Sequence, residues 1–239
     1  NYFIRGSISL TKVDKDYPDN KLTGAVFEVY SDTNGDGKLD KDDALLGTMT
    51  EMEGGIYQMK ELRYGKYLVR EKTAPTGYIL DENVYPVSIE ENGKTYTVEN
   101  EAGKGFLNEA QKGNLKIVKT SSDGKVEGFS FRITGVNYDQ TFKTDRNGEI
   151  SIEGLRIGEY TVSEVNDKAS AGYILPADKQ ASVQTGATTI VQMHNELRDT
   201  PKTGDDFNPA LWVSLAAAFT IGAGVLGFLG IKGKKKKED

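Results

Sequence analysis

The sequence contains no cysteine and only one histidine among its 239 residues. Without cysteine, no disulfide can brace a domain, and thiol catalysis and the usual Cys/His zinc sites are excluded. The single histidine, His194, falls on the face of its predicted strand opposite Asn195, towards solvent. No other histidine could complete a Ser-His-Asp triad, so we do not expect an enzyme.

The sequence also has no long amphipathic helical pattern before its C-terminal region, and no glycine-rich phosphate loop. Its formal net charge is −6, and the residues up to position 203 carry 25 basic and 32 acidic side chains. This acidic balance argues against a nucleic-acid partner. A chain of this length suffices for two small domains.

Three features follow one another in the C-terminal region. The first is a pentapeptide, Thr200-Pro201-Lys202-Thr203-Gly204. The second is a run of 22 uncharged residues, 210–231, which as a helix could cross a hydrocarbon core of about 30 Å. The third is a group of five lysines within 232–237, which favours a cytoplasmic end. The pattern predicts a transmembrane helix with the preceding residues outside the cell.

This order of features resembles the sorting signal of Gram-positive surface proteins, whose usual pentapeptide is Leu-Pro-x-Thr-Gly. Thr200 stands where leucine is usual. The resemblance implies that a sortase cleaves between Thr203 and Gly204. It then links Thr203 to a peptidoglycan precursor or a pilin lysine, which places the protein in the cell wall. A plain membrane anchor is the alternative.

The sequence repeats itself, which is informative about the fold. Residues 113–119 match 6–12, residues 148–164 match 55–71, and Gly-Tyr-Ile-Leu occurs at both 77–80 and 172–175. The repeated segments are short, alternate apolar with polar residues, and break at Gly, Asn and Asp. Such a pattern is typical of an all-β sandwich. The dipeptides Asn92-Gly93 and Thr185-Gly186 predict hairpin turns.

The repeats predict two tandem domains, at 6–112 and 113–198, followed by the sorting region at 199–239. By the same spacing, Asn1 matches the last strand of a repeat, so residues 1–5 are interpreted as the end of a preceding domain. The chain begins without an initiator methionine or a signal peptide. Because export requires a signal peptide, we expect the chain to be the C-terminal part of a longer protein.

Each repeat places a lysine, a glutamate and an asparagine in line with core-facing strand residues. They are Lys12, Glu71 and Asn108 in the first repeat, and Lys119, Glu164 and Asn195 in the second. Lysine and glutamate are rarely buried unless paired. Burial favours the neutral forms of both, and a neutral amine is a nucleophile. A protonated glutamate could polarise the asparagine carbonyl, so we predict a Lys–Asn isopeptide bond. The alternative is a hydrogen-bonded cluster that does not react.

Residues 67–78, Tyr-Leu-Val-Arg-Glu-Lys-Thr-Ala-Pro-Thr-Gly-Tyr, resemble the E-box of collagen-adhesin B-type domains, the prealbumin-like modules of Gram-positive adhesins and pilins. Residues 22–27, Leu-Thr-Gly-Ala-Val-Phe, match a second motif of that family. The resemblance implies two reverse-immunoglobulin β-sandwiches. It also implies internal bonds from Lys12 to Asn108 with Glu71 as catalyst, and from Lys119 to Asn195 with Glu164.

An acidic segment at 32–43 fits the EF-hand loop pattern, with Asp instead of Glu at its last position. The oxygen ligands would come from Asp32, Asn34, Asp36, the Lys38 carbonyl, Asp40 and Asp43. We therefore expect calcium as a candidate cofactor. A surface turn rich in Asx residues is the alternative. A melting temperature unchanged by millimolar calcium would contradict the calcium site.

The sequence favours a structural function. We expect the stalk of a wall-anchored surface protein that presents an upstream adhesive region, with a host extracellular-matrix ligand as that region's candidate partner. A pilin subunit is one alternative, although Tyr17-Pro18 and Tyr85-Pro86 are not followed by the lysine of a pilin motif. A wall-anchored enzyme with its catalytic domain upstream is another.

Overall fold

The computed structural model describes residues 3–199, and its regular elements are 17 β-strands. The first nine are β1 Arg5–Asp14, β2 Val26–Ser31, β3 Ala44–Thr48, β4 Thr50–Met52, β5 Ile56–Arg63, β6 Gly65–Thr73, β7 Val84–Ile89, β8 Thr95–Thr97 and β9 Phe106–Asn108. The other eight are β10 Lys112–Ser121, β11 Ser130–Gly135, β12 Tyr138–Lys143, β13 Glu149–Arg156, β14 Gly158–Glu164, β15 Tyr173–Ile174, β16 Lys179–Val183 and β17 Thr188–Leu197.

The predicted all-β class is confirmed for these residues. No helix within 3–199 is long and apolar enough to span a membrane. Three sequence predictions lie outside the described residues: the assignment of Asn1, the sorting pentapeptide at 200–204 and the transmembrane segment at 210–231.

Each domain is a sandwich of two sheets. In the first domain, one sheet has the order β4-β5-β1-β8, with β9 also paired to β1, and faces a sheet of order β3-β2-β6-β7. In the second, β13-β10-β17-β15 faces β12-β11-β14-β16. Each pair of sheets encloses its own apolar core, because alternate side chains of every strand point inwards. The two repeats of the sequence therefore correspond to two sandwiches.

The first and last strands of each domain run parallel and are hydrogen-bonded neighbours. In the first domain Lys12 lies opposite Phe106, and Asn108 lies two positions further along. In the second domain Lys119 lies opposite Met193, and Asn195 again lies two positions further. Since residues two apart share a face, each lysine is brought beside its asparagine on the core side.

A glycine near the start of each repeat has a packing reason. A Cβ atom at Gly6 would lie 2.8 Å from the Lys94 carbonyl oxygen, and one at Gly113 would lie 2.1 Å from that of Gln184. Both glycines precede a register shift in the ladder to the neighbouring antiparallel strand. The close approach of backbone excludes any side chain there.

The predicted hairpins at Asn92-Gly93 and Thr185-Gly186 are wrong. Strand β7 pairs with β6 in one sheet while β8 pairs with β1 in the other, so the first turn carries the chain across the sandwich. The second turn likewise links β16 and β17, which belong to opposite sheets. Both glycines have positive φ, 76° and 66°, so the sites are tight turns. The turn residues indicate where the chain reverses but not which strand it then joins.

A buried ion pair joins the two sandwiches. The Arg156 guanidinium donates to both carboxylate oxygens of Asp14, at 2.6 and 2.8 Å. The Tyr78 hydroxyl donates to the same carboxylate at 2.7 Å. The linking segment is also tied to both domains, since the Gln111 N–H donates to the Gly77 carbonyl and its own carbonyl accepts from Ile157. The junction is therefore a packed, hydrogen-bonded contact.

Candidate functional site

The first candidate site joins three strands at the end of the first core. Lys12 lies on β1, Glu71 on β6 and Asn108 on β9, and all three side chains are buried. The Lys12 Nζ lies 3.2 Å from Glu71 Oε1 and is in direct contact with Asn108 Oδ1. The Asn108 amide donates to Glu71 Oε1 and Oε2 at 3.1 and 2.9 Å, and to the Ile79 carbonyl at 2.9 Å. Amine, carboxylate and amide thus meet in one cluster.

The surroundings of Lys12 are apolar. Its Nζ lies 4.5 Å from the ring centroid of Phe106 and 5.8 Å from that of Phe27. Burial lowers the pKa of Lys12 to about 8, although the neighbouring Glu71 opposes the shift. Loss of water disfavours the ammonium form, so a substantial fraction of the amine is neutral near that pH.

The second site repeats the composition of the first but not its full geometry. The Asn195 amide donates to Glu164 Oε1 at 2.7 Å. The Lys119 Nζ instead donates to the Thr120 carbonyl and lies 4.3 Å from the ring centroid of Phe129. The lysine is buried beside the pair but needs a side-chain rotation to reach Asn195.

Two polar atoms of the second site have no hydrogen-bond partner among residues 3–199. They are Glu164 Oε2 and Asn195 Oδ1, both of them buried. Burial raises the pKa of Glu164, although the hydrogen bond from Asn195 opposes the shift, and burial lowers the pKa of Lys119. Both directions favour neutral groups. A buried acceptor without a donor is costly, and a proton on the carboxyl group would supply one.

Sequence reasoning missed one residue of the first site. The Asp81 N–H donates to Glu71 Oε2 at 2.9 Å. Its own carboxylate accepts from the Tyr85 hydroxyl at 2.7 Å and from the Asn100 amide at 2.9 Å. The signal was present in the repeat, because Gly-Tyr-Ile-Leu is followed by Asp81 in the first domain and by Pro176 in the second.

The acidic loop lies apart from both clusters. Asp32 accepts from the N–H groups of Gly35 and Gly37 at 2.7 and 3.1 Å, and Asp43 accepts from those of Thr33 and Asp40 at 3.0 and 2.9 Å. Gly37 has φ of 74°, as the predicted sharp turn requires. Within residues 3–199, no three acidic or histidine side chains form a group that could hold a metal ion. Calcium binding stays a prediction.

A family model for a prealbumin-like fold domain, SpaA, matches the chain twice, over residues 6–104 and 113–197. The chain belongs to this family. Each matched segment covers most of one sandwich, the first ending just before β9, so both sandwiches are SpaA-type domains. The predicted family resemblance and fold are thereby confirmed.

The chain is also similar to several solved structures. The Bacillus anthracis TIE protein matches with a TM-score of 0.61 at 24% identity, over 81% of this chain and 34% of that one. This chain therefore spans about a third of the length of that protein. The minor pilin GBS52 of Streptococcus agalactiae matches at 16% identity and a TM-score of 0.37, over 84% of this chain and 100% of that one. The D295N mutant of the shaft pilin SpaA from Lactobacillus rhamnosus GG matches at 15% identity and a TM-score of 0.37. The match covers 82% of this chain and 100% of that one. A search of curated proteins found no match.

Proposed function

We propose that the two SpaA-type domains form the stalk of a cell-wall-anchored surface protein. In each domain, an isopeptide bond between the first and last strands stiffens the fold. The bonds join Lys12 to Asn108 and Lys119 to Asn195, with Glu71 and Glu164 as catalysts. The observation that supports this proposal is that both domains bury the same three residue types together, at the same register of two parallel strands.

The reaction needs no cofactor. The neutral lysine Nζ attacks the asparagine Cγ, and the protonated glutamate donates a hydrogen bond to the side-chain carbonyl. Collapse of the tetrahedral intermediate breaks the bond from Cγ to Nδ2. The lysine proton passes through the glutamate to Nδ2, which leaves as ammonia. One amide is consumed and one is formed, and the glutamate regains its proton. Each site reacts once, so the domain is not a turnover enzyme.

The proximity of the reacting groups and the exclusion of water both favour the attack of the lysine on the asparagine. Lys12 and Asn108 are already in contact, so no encounter has to be arranged. The apolar rings around Lys12 exclude water and keep part of the amine neutral. The unreacted alternative would be a buried charged cluster, whose desolvation offsets much of its attraction. Reaction replaces that cluster with a neutral amide.

The positions of Lys12 and Asn108 in their strands determine how the isopeptide bond would carry a pulling force. Lys12 lies near the C-terminal end of β1, and Asn108 is the last residue of β9. Tension applied to the two ends of the domain would pass along β1 to Lys12, cross at the isopeptide bond to Asn108 and leave through the residues that follow β9. Residues 13–107 would carry no load, and the ladder between the strands would not have to resist shear alone.

Pulling on the chain from its two ends tests this function. We expect no extension from residues 13–107 in the intact protein. In Lys12→Ala the same segment should unfold and lengthen by roughly 3.5 Å per residue. Single-molecule force spectroscopy measures both. Release of the whole first domain from the intact protein, as in the variant, would contradict a covalently tied stalk.

The anchoring steps are part of the proposal. A sortase would cut after Thr203 and join it to a peptidoglycan precursor or a pilin lysine, placing the stalk on a Gram-positive cell wall. An upstream adhesive region would then be carried away from the surface. A pilin subunit would use the same domains, but Tyr17-Pro18 is followed by Asp19 and Tyr85-Pro86 by Val87. Because no pilin lysine follows either dipeptide, the stalk is preferred.

A further inference from the structure

One difference between the two candidate sites is a backbone hydrogen bond to the glutamate. In the first domain the Asp81 N–H donates to Glu71 Oε2 at 2.9 Å. In the second, Pro176 occupies the matching position after Gly-Tyr-Ile-Leu and has no N–H to donate. One oxygen of the second glutamate, Glu164 Oε2, is buried without a partner in the part of the chain that the structure describes. In the first site the Asn108 amide also donates to Glu71 Oε2, whereas in the second the Asn195 amide donates to Glu164 Oε1, so Glu164 Oε2 lacks both kinds of donor.

The match between Asp81 and Pro176 rests on register as well as on sequence. Tyr78 pairs with Ala110, two residues after the first asparagine, and Tyr173 pairs with Leu197, two residues after the second. The next contact also repeats, since the Gln111 and Arg198 N–H groups donate to the carbonyls of the two glycines that precede these tyrosines. The two segments therefore lie in the same register beside their asparagine strands, and Asp81 and Pro176 follow them at matching positions.

We propose that the residue after each Gly-Tyr-Ile-Leu segment tunes the acid role of the neighbouring glutamate: the Asp81 N–H occupies Glu71 Oε2, whereas Pro176 leaves Glu164 Oε2 open to carry the catalytic proton. This inference rests on the proposed isopeptide function. A hydrogen bond donated to a carboxylate favours its charged form. Without that donor, a proton on Glu164 Oε2 can bond to Asn195 Oδ1 while Asn195 Nδ2 donates to Oε1. One proton would then satisfy both unpaired atoms.

The other charged and titratable groups around each glutamate are few. Glu71 faces Lys12 from β1, Tyr57 from β5 and Tyr85 from β7, besides Asp81 itself. Glu164 faces Lys119 from β10 and Asp167 from the following loop. Each site thus has one lysine and one nearby aspartate, and the first also has two tyrosines; the backbone donor at Asp81 is the polar difference that a single substitution at the matching position can test. The two bonds should differ in the pH range over which they form.

The test uses a chain kept unreacted in denaturant and refolded by dilution at a series of pH values. Timed acid quenching and peptide mass mapping then count ammonia losses in each domain. Pro176→Ala supplies the missing N–H. We expect the second bond to form about tenfold more slowly at neutral pH, and its pH range to move to lower values, while the first bond keeps its rate. An unchanged rate and pH range in the folded variant would overturn the inference.

A reciprocal pair at the first site provides the matched control. Asp81→Ala and Asp81→Pro both remove the carboxylate, but only proline also removes the N–H. We expect the first bond to form about tenfold faster in Asp81→Pro than in Asp81→Ala. Equal rates would overturn the inference, even if Pro176→Ala failed to fold. If the unaltered chain lost no ammonia in either domain, the isopeptide function itself would fail. If the unaltered chain lost two ammonia molecules but the variants at positions 81 and 176 formed their bonds at unchanged rates, only the role of these two positions would be contradicted.

Discussion

Replacing Lys12 with alanine should lower the melting temperature of the first domain by about 20 °C or more. The bond closes a loop between residues 96 positions apart, and a covalent closure of that size is worth about 4–5 kcal/mol in the chain-entropy model. One kcal/mol shifts the melting temperature of a domain of this size by about 4–8 °C. Scanning calorimetry and protease resistance measure the effect.

Lys15→Ala is the matched control for that variant. Lys15 lies just beyond the end of β1, and its Nζ pairs with Glu109 at 3.0 Å, but both side chains are about half exposed. Exposed pairs contribute about 0–1 kcal/mol, so the control should melt within a few degrees of the unaltered chain. Similar melting temperatures for Lys12→Ala and Lys15→Ala would contradict a covalent tie at Lys12.

Replacing Arg156 with alanine should cost about 3–5 kcal/mol and unfold the junction between the domains. The change leaves the Asp14 carboxylate, which is fully buried, without its cation. Arg132→Ala is the control, because Arg132 makes a bidentate pair with Asp139 at 2.8 and 2.6 Å on the exposed surface. Its loss should cost less than about 1 kcal/mol. Denaturant unfolding measures the loss of unfolding free energy in each variant. Because both arginines make bidentate pairs, a larger loss in Arg156→Ala would be due to burial. Equal losses in the two variants would contradict a buried ion pair at the junction.

The same junction predicts an acid-sensitive contribution to stability. Burial opposes ionisation of Asp14, but hydrogen bonds from Arg156 and Tyr78 outweigh it and lower the pKa of Asp14 to about 2. A depressed carboxyl pKa stabilises the fold above the unfolded value of about 3.9, and that stability is lost as pH falls towards 2. The contribution at neutral pH is about 2–3 kcal/mol. Arg156→Ala should lose this part of the pH dependence; a profile parallel to that of the unaltered chain would contradict the assignment.

Much of the fold could be predicted because strand alternation is a local signal. It placed Lys12 and Glu71 on the core side before any partner was known. Contacts between segments that are distant in the sequence produce no comparable local pattern. The partner of Asp14 lies 142 residues away, and nothing in either segment indicates the other. The rotation of Lys119 towards Thr120 likewise depends on packing against Phe129, which no sequence period encodes.

The difference between Asp81 and Pro176 shows another limit. The change was visible when the repeats were compared, but its meaning depends on a backbone N–H that points at Glu71. Side-chain patterns say little about where main-chain donors point. The paired geometry and the unpaired Glu164 Oε2 were both needed to connect the substitution with the chemistry.

The most direct test of the isopeptide bonds is the intact mass of the purified chain. We expect it to be lighter than its sequence by two ammonia molecules. Peptide mapping should then find one branched peptide joining Lys12 to Asn108 and another joining Lys119 to Asn195. A mass equal to that of the unmodified sequence would contradict the central claim.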